Sequence, residues 1–117
     1  MKSILVTGAT GFIGSALVIR IESMGFEVIQ FGSVDGDISD INFIEEYENR
    51  KICHVFHLAS KTFVPDSWEN PIDFYKSSVL GTVNILQLCR IKKIPLTYVS
   101  AYIYGTPEEL PITEEHR

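Results

Sequence analysis

Along this chain, short unbroken apolar runs alternate with stretches in which apolar residues return every third or fourth position. Ser3, Ile4, Leu5, Val6 and Thr7 read as a strand, β-branched and apolar enough to be buried on both faces. From Phe12 to about Met24, the residues Ile13, Leu17, Ile21 and Met24 step by four, four and three, a helical stripe. Gly25 stands where a glycine ends such a helix. Phe26 to Phe31 forms a second strand, and Gly32 to Asp37 is a loop of turn residues. Ser39 or Asp40 caps a short helix to about Arg50, with Ile41, Ile44, Tyr47 and Glu48 at helical spacing. Ile52 to Leu58 is a third strand, and Ala59 to Glu69 a second loop.

The next helix has the plainest markers. Asn70, Pro71 and Asp73 supply a capping residue, a first-position proline and an acidic first turn. Ile72, Tyr75, Val79, Val83 and Leu86 then follow at gaps of three, four, four and three. Gly81 in mid-helix costs about 1 kcal/mol against alanine, which predicts close packing on a neighbour. Lys92 and Lys93 suit the negative end of the helix, and Pro95 stops it. Leu96 to Ser100 is a fourth strand. This alternation predicts an α/β fold, a doubly wound parallel sheet with right-handed crossovers and strand order 2-1-3-4. The first helix then covers one face and the other two the opposite face, so an apolar strip on the first helix's side is expected to stay exposed. Self-association is expected through that strip or through the Asn70–Lys93 helix.

Thr7-Gly8-Ala9-Thr10-Gly11-Phe12-Ile13-Gly14 joins the first strand to the first helix. Gly8 permits a tight turn. Gly11 lets a pyrophosphate approach the backbone, and Gly14 lets the helix pack closely on the strand. A phosphate would lie at the helix N-terminus, where free N–H groups and the dipole favour an anion. No Gly-Lys-Ser/Thr follows, which excludes a phosphate-loop NTPase. The switch point lies between strands 1 and 3, and the Gly8 loop, the Ala59 loop and Ser100 all converge there.

Composition narrows the setting. Hydrophobic residues at 45% and charged residues at 21% are globular values. A net charge of −5, from 10 basic and 15 acidic residues without a basic cluster, argues against nucleic-acid and anionic-membrane partners. No apolar run approaches a membrane span, and Met1-Lys2 leads directly into a strand. Cys53 and Cys89 are widely spaced and read as buried free thiols, so a cytoplasmic protein without a metal site is expected.

The motifs together resemble the N-terminal half of the extended short-chain dehydrogenase/reductases, the NAD-dependent epimerase/dehydratase group acting on sugar nucleotides. The pieces are the glycine segment at 7–14, Gly36-Asp37-Ile38-Ser39-Asp40, His57-Leu58-Ala59-Ser60, the segment 80–86 (Leu-Gly-Thr-Val-Asn-Ile-Leu), the segment 98–105 (Tyr-Val-Ser-Ala-Tyr-Ile-Tyr-Gly) and Pro111 to His116. The resemblance implies an incomplete Rossmann-like sheet, with residues 1–117 forming the dinucleotide-binding part of a longer enzyme and the substrate-binding part absent. It implies that Gly8, Thr10, Gly11, Phe12, Ile13 and Gly14 hold the pyrophosphate, and that Asp37 and Ile38 meet adenine. Leu58, Ala59 and Ser60 would lie beside the adenosine and its ribose, Ser33 could donate to a 2′-phosphate, and Thr62 is a further cofactor-binding candidate. Ser100 would be the catalytic hydroxyl. Without the family, Asp37 reads as a turn aspartate, His57 as a packed strand residue and Ser100 as a polar strand end.

Departures from the pattern refine these expectations. Where NAD-users place an acid at the end of strand 2, this chain has Gly32-Ser33, so NAD and NADP both stay open. Ser78 stands where asparagine is usual. Ala101 and Tyr102 replace the Asp-Glu pair of the 4,6-dehydratases, which leaves epimerase or ketoreductase. The family's Tyr-x-x-x-Lys acid/base pair does not follow Ser100, and Tyr47 to Lys51, the same spacing in the wrong place, is taken as chance. The expectation is a part that binds NAD or NADP and is inactive alone, its nucleotide-sugar substrate read elsewhere, forming a homo-oligomer. The alternative is a non-catalytic dinucleotide-binding module or regulator.

Overall fold

Four parallel strands, β1 (Ser3–Thr7), β2 (Glu27–Phe31), β3 (Ile52–His57) and β4 (Leu96–Tyr98), form one sheet in the order β2-β1-β3-β4. The computed structural model describes residues 2–101 and 103–116. Central β1 is buried along its whole length, as its sequence requires. Thr7 is level with Phe31 on one side and His57 on the other, so the carboxyl ends of three strands finish together. That row of ends is the switch point.

Helix α1 (Phe12–Ser23) lies on one face, packed through Val18 and Ile21 against Ile4 and Val6. Helices α2 (Phe43–Glu48) and α5 (Gly81–Lys92) lie on the other, where Leu5, Phe31, Phe43, Tyr47, Val55, Ile85 and Leu88 form the larger core cluster. Phe43 stacks on Tyr47 at 4.8 Å, and Phe31 meets Phe43 edge-on at 5.2 Å. Gly25 ends α1 with φ +86°, its N–H bonded to the Glu22 carbonyl and that of Phe26 to the Ile21 carbonyl. This paired closure satisfies two carbonyls that the helix leaves open.

The expected helix from Asn70 to Lys93 is present as an unbroken run with an irregular middle. It comprises α4 (Pro71–Tyr75), a π turn (Lys76–Leu80) and α5. Its apolar stripe faces outward: Ile72, Tyr75, Val79, Val83 and Leu86 are all exposed. The inward face is Gly81, Ile85, Leu88 and Cys89, with half-buried Ser77, Ser78 and Thr82 beside it. Periodicity selects the most apolar stripe, and here the inner face is small and hydroxylated where it borders a cleft. Gly81 packs as expected, since a Cβ there would stand 2.5 Å from Ile38 Cγ2.

Other expectations shift for local reasons. In α1 the inward residues are Gly14, Val18 and Ile21, while Ile13 and Met24 are exposed. In α2 they are Phe43 and Tyr47; Ile41 is exposed. Neither Ser39 nor Asp40 caps that helix, because the Asp40 carboxylate accepts the Asn42 N–H at 2.8 Å in a preceding turn. Residues 64–69, expected as loop, form α3 (Val64–Glu69). Pro65 and Asp66 in its first turn are the overlooked signal. Asn70 makes no side-chain cap; its N–H instead closes α3 on the Asp66 carbonyl. β2 begins at Glu27, β3 ends at His57 and β4 at Tyr98, so Ser100 lies in the loop beyond its strand. On the α1 side, the strip over β3 and β4 carries half-buried His54 and Phe56 and exposed Thr97, with His54 Nε2 2.9 Å from Thr97 Oγ1. That strip is therefore only partly apolar.

Candidate functional site

The chain turns sharply at Gly8, whose φ of +70° suits glycine and whose missing Cβ would otherwise fall 2.8 Å from the Ala59 nitrogen. The Gly8 N–H reaches across to the Phe31 carbonyl at 2.8 Å, pinning the turn to the end of β2. A Cβ on Gly14 would collide with the Gly8 carbonyl, so helix and turn are in backbone contact. Gly11 is the N-cap of α1 and, like the rest of that first turn, supplies no capping side chain and no acid. The first N–H groups of α1 are thus left for an external acceptor.

A cleft of about 1110 Å³ opens above this turn and runs across the carboxyl ends of the strands. Its wall includes Gly8, Thr10, Gly11, Phe12, Ile13 and Gly14 from the glycine segment, then Ser33, Asp37 and Ile38. Leu58, Ala59, Ser60 and Thr62 line it from the loop after β3, and Ser100 from the loop after β4. All fourteen residues named from the sequence border one cleft.

The β2 end differs from its sequence reading. Asp35 folds back so that Oδ2 accepts the Gly32 N–H at 2.7 Å, which puts a carboxylate beside the strand end after all. The signal was the three-residue offset within a turn that also joins the Asp35 N–H to the Gly32 carbonyl. Asp37 Oδ1 accepts both the N–H and the hydroxyl of Ser39, at 2.9 and 2.7 Å. Those two hydrogen bonds hold its pKa below the usual value of 3.8, with Lys76 and Lys61 adding to the effect. Asp37 is at once a turn aspartate and a residue of the cleft wall.

The opposite wall is built on His57. Its ring is 1% exposed, with Thr7 Oγ1 2.7 Å from Nδ1 and Thr82 Oγ1 3.0 Å from Nε2. Burial pushes its pKa down to about 4 from 6.5, so the ring is neutral at ordinary pH. Thr7 Oγ1 also accepts the N–H groups of Leu58 and Ala59, each at 3.2 Å, which fixes the turn after β3. Thr82, Ser77, Ser78, Lys61 and Lys76 also border the cleft. The sequence missed Thr82 and Lys76 because the end of the helix that borders the cleft is small and polar, with Ile85, Leu88 and Cys89 entering the core only further on.

Tyr47 is buried in the aromatic cluster on the far face and burial raises its pKa, which agrees with reading Tyr47 to Lys51 as chance. Ala101 borders the cleft, whereas Tyr102 lies outside the described residues. Among the described residues, no three His, Cys, Asp or Glu side chains are grouped to hold a metal. Nor is any helix of these residues long and apolar enough to cross a membrane.

A parallel 2-1-3-4 sheet with a glycine turn feeding an uncapped helix at its switch point defines a Rossmann-like α/β protein. The chain belongs to the NAD dependent epimerase/dehydratase family, whose model matches residues 4–117. It is 30% identical over 141 residues to a UDP-glucose 4-epimerase of Yersinia enterocolitica, covering 98% of this chain and 42% of that one. A UDP-glucuronate 4-epimerase of Arabidopsis thaliana is 28% identical, over 98% of this chain and 33% of its own length. Among solved structures, the UDP-glucose 4-epimerase of Bifidobacterium longum in complex with NAD+ and UDP superposes with a TM-score of 0.85. It is 27% identical over 99% of this chain and 42% of that one. The enzyme of Brucella ovis in complex with NAD gives a TM-score of 0.85 at 28% identity, over 99% of this chain and 41% of that one. The chain thus spans about two fifths of the bacterial epimerases it matches, at 42% of the Yersinia protein.

Proposed function

We propose that residues 1–117 are the NAD-binding part of a sugar-nucleotide epimerase or ketoreductase whose substrate-binding part lies outside this sequence. The observation that carries the reading is the uncapped start of α1 facing a 1110 Å³ cleft at the switch point. The residues present fit a dinucleotide, because the Gly8–Gly14 contact leaves no room for a side chain in the cradle and four loops supply polar groups around it. Gly8 to Gly14 with Thr10 would hold the pyrophosphate, Asp37 and Ile38 the adenine, Ser33 the adenosine ribose, and Leu58, Ala59, Ser60 and Thr62 the flank. When bound, the nicotinamide accepts or returns hydride at a sugar carbon. Ser100 would donate its hydroxyl to the reacting oxygen. The Asp35 carboxylate, folded onto the Gly32 N–H outside the cleft wall, would favour NAD over NADP through its charge alone, and the relatives solved with NAD are in keeping with that choice.

The residues after Ser100 contain no lysine, hence no Tyr-x-x-x-Lys pair to move the proton. We expect no turnover from these 117 residues alone. The outward apolar stripe of the long helix supports self-association through that face, and two free thiols suit a reducing cytoplasm. Titration with NADH and NADPH, followed by cofactor fluorescence, tests the reading. Saturable NADH binding is expected; its absence at millimolar cofactor overturns it.

A further inference from the structure

We propose that Thr82 donates its hydroxyl proton into the cleft, to an oxygen of the bound dinucleotide, and that His57 is the positioning residue that aims it. The proposal rests on the NAD-binding reading above and adds a contact on the wall opposite the glycine turn.

The assignment follows from counting protons. A threonine hydroxyl has one proton and two acceptor sites. Thr7 Oγ1 accepts the Ala59 N–H at 3.2 Å. It shares the Leu58 N–H with the Thr7 carbonyl, the Leu58 nitrogen lying 3.2 Å from the hydroxyl and 3.1 Å from the carbonyl oxygen. Among the described residues, no acceptor but His57 is in reach of the hydroxyl proton. Its proton must therefore go to His57 Nδ1, 2.7 Å away. A neutral imidazole that accepts at Nδ1 carries its own proton on Nε2. That N–H donates to Thr82 Oγ1 at 3.0 Å. Thr82 is left as a donor, and it has no second hydrogen-bond partner among the described residues.

Position supplies the acceptor. Thr82 is half-buried and borders the cleft, two residues beyond the π turn, and His57 beneath it is 1% exposed. Gly81, pressed against Ile38, fixes the rotation of the helix at this point. The π turn just upstream is a distortion that recurs near functional sites. A hydroxyl held as donor at a cleft wall matches the oxygen-rich surface of a dinucleotide, whose phosphate, ribose and carboxamide oxygens all accept.

The test compares NADH affinity of the parent chain with Thr82→Val and Thr82→Ser, by fluorescence titration well below the melting temperature of each. Removing one hydrogen bond to the ligand should weaken binding about tenfold in Thr82→Val, while Thr82→Ser stays near the parent. His57→Phe should weaken binding in the parent and add nothing in the Thr82→Val background, a non-additivity that a merely structural role would not produce. Nitrogen-15 correlation spectra should find the His57 proton on Nε2. AMP titrated in parallel locates the acceptor: equal losses place it on the adenylate half, a loss with NADH alone on the other. Parent and Thr82→Val binding NADH equally, or a proton on Nδ1, overturns the proposal and leaves the NAD reading intact. A parent that does not bind NADH removes both.

Discussion

Gly81 offers the sharpest test of the packing. A Cβ at that position would stand 2.5 Å from Ile38 Cγ2 and 3.5 Å from Ile38 Cβ, where ordinary contact begins near 3.4 Å. Ile38 is buried and β-branched, so it cannot swing aside. Overpacking of this kind costs about 1–3 kcal/mol. Against it stands the roughly 1 kcal/mol that alanine gains over glycine inside a helix. Gly81→Ala should therefore be neutral to destabilising by about 2 kcal/mol in the parent. In an Ile38→Ala background the obstruction is gone, and the same substitution should stabilise by about 1 kcal/mol. Urea unfolding at 25 °C of the four chains gives the cycle, with equal slopes required for comparison. Because Ile38→Ala itself costs about 2–5 kcal/mol, all four are measured in a stabilising osmolyte. A stabilising Gly81→Ala in both backgrounds would refute the close contact of the long helix with Ile38.

Gly14→Ala, which forces a side chain into the Gly8 carbonyl, should abolish NADH binding in titration and lower the melting temperature. Asp35→Asn should raise NADPH affinity about tenfold relative to NADH by removing a fixed negative charge; an unchanged ratio would separate Asp35 from cofactor choice. His57 titrates near 4 folded and near 6.5 unfolded, so the unfolded chain binds the extra proton between those values. Stability is full above about pH 6.5 and falls by roughly 3 kcal/mol as pH drops to about 4. His57→Gln should flatten that slope in urea midpoints. Val79→Glu with Val83→Glu, both on the exposed stripe, should leave the circular dichroism unchanged and convert a self-associating chain to monomer in sedimentation.

Strand order, switch point and glycine turn were legible because each depends on local chemistry. β1 must be buried on both faces, Gly8 must adopt a positive φ, and alternating elements admit few topologies. The helix faces were less legible. Hydrophobic periodicity assumes that the apolar side is the core side, and the long helix reverses this by turning Ser78, Gly81 and Thr82 inward and Val79, Val83 and Leu86 outward. Asp35 and the Thr7–His57–Thr82 chain were invisible for another reason. Their partners are set by a folded-back turn or lie 25 to 50 residues away. Spacing along the sequence carries no trace of such bonds.

The separation in sequence between Thr7 and its partners also governs when the site can exist. Its hydroxyl is bonded to residues 50, 51 and 52 positions later, across the β1–β3 pairing at the centre of the sheet. Closing a loop of that length must precede every one of those bonds, and parallel pairings of this kind form slowly. The glycine turn can curl early, from neighbours in sequence, but the wall facing it arrives only with the completed central pair. A ligand bridging the two walls therefore binds the finished sheet and not its precursors, and stabilises it by an amount that grows with the logarithm of its concentration. Folding and occupation of the cleft are therefore linked equilibria.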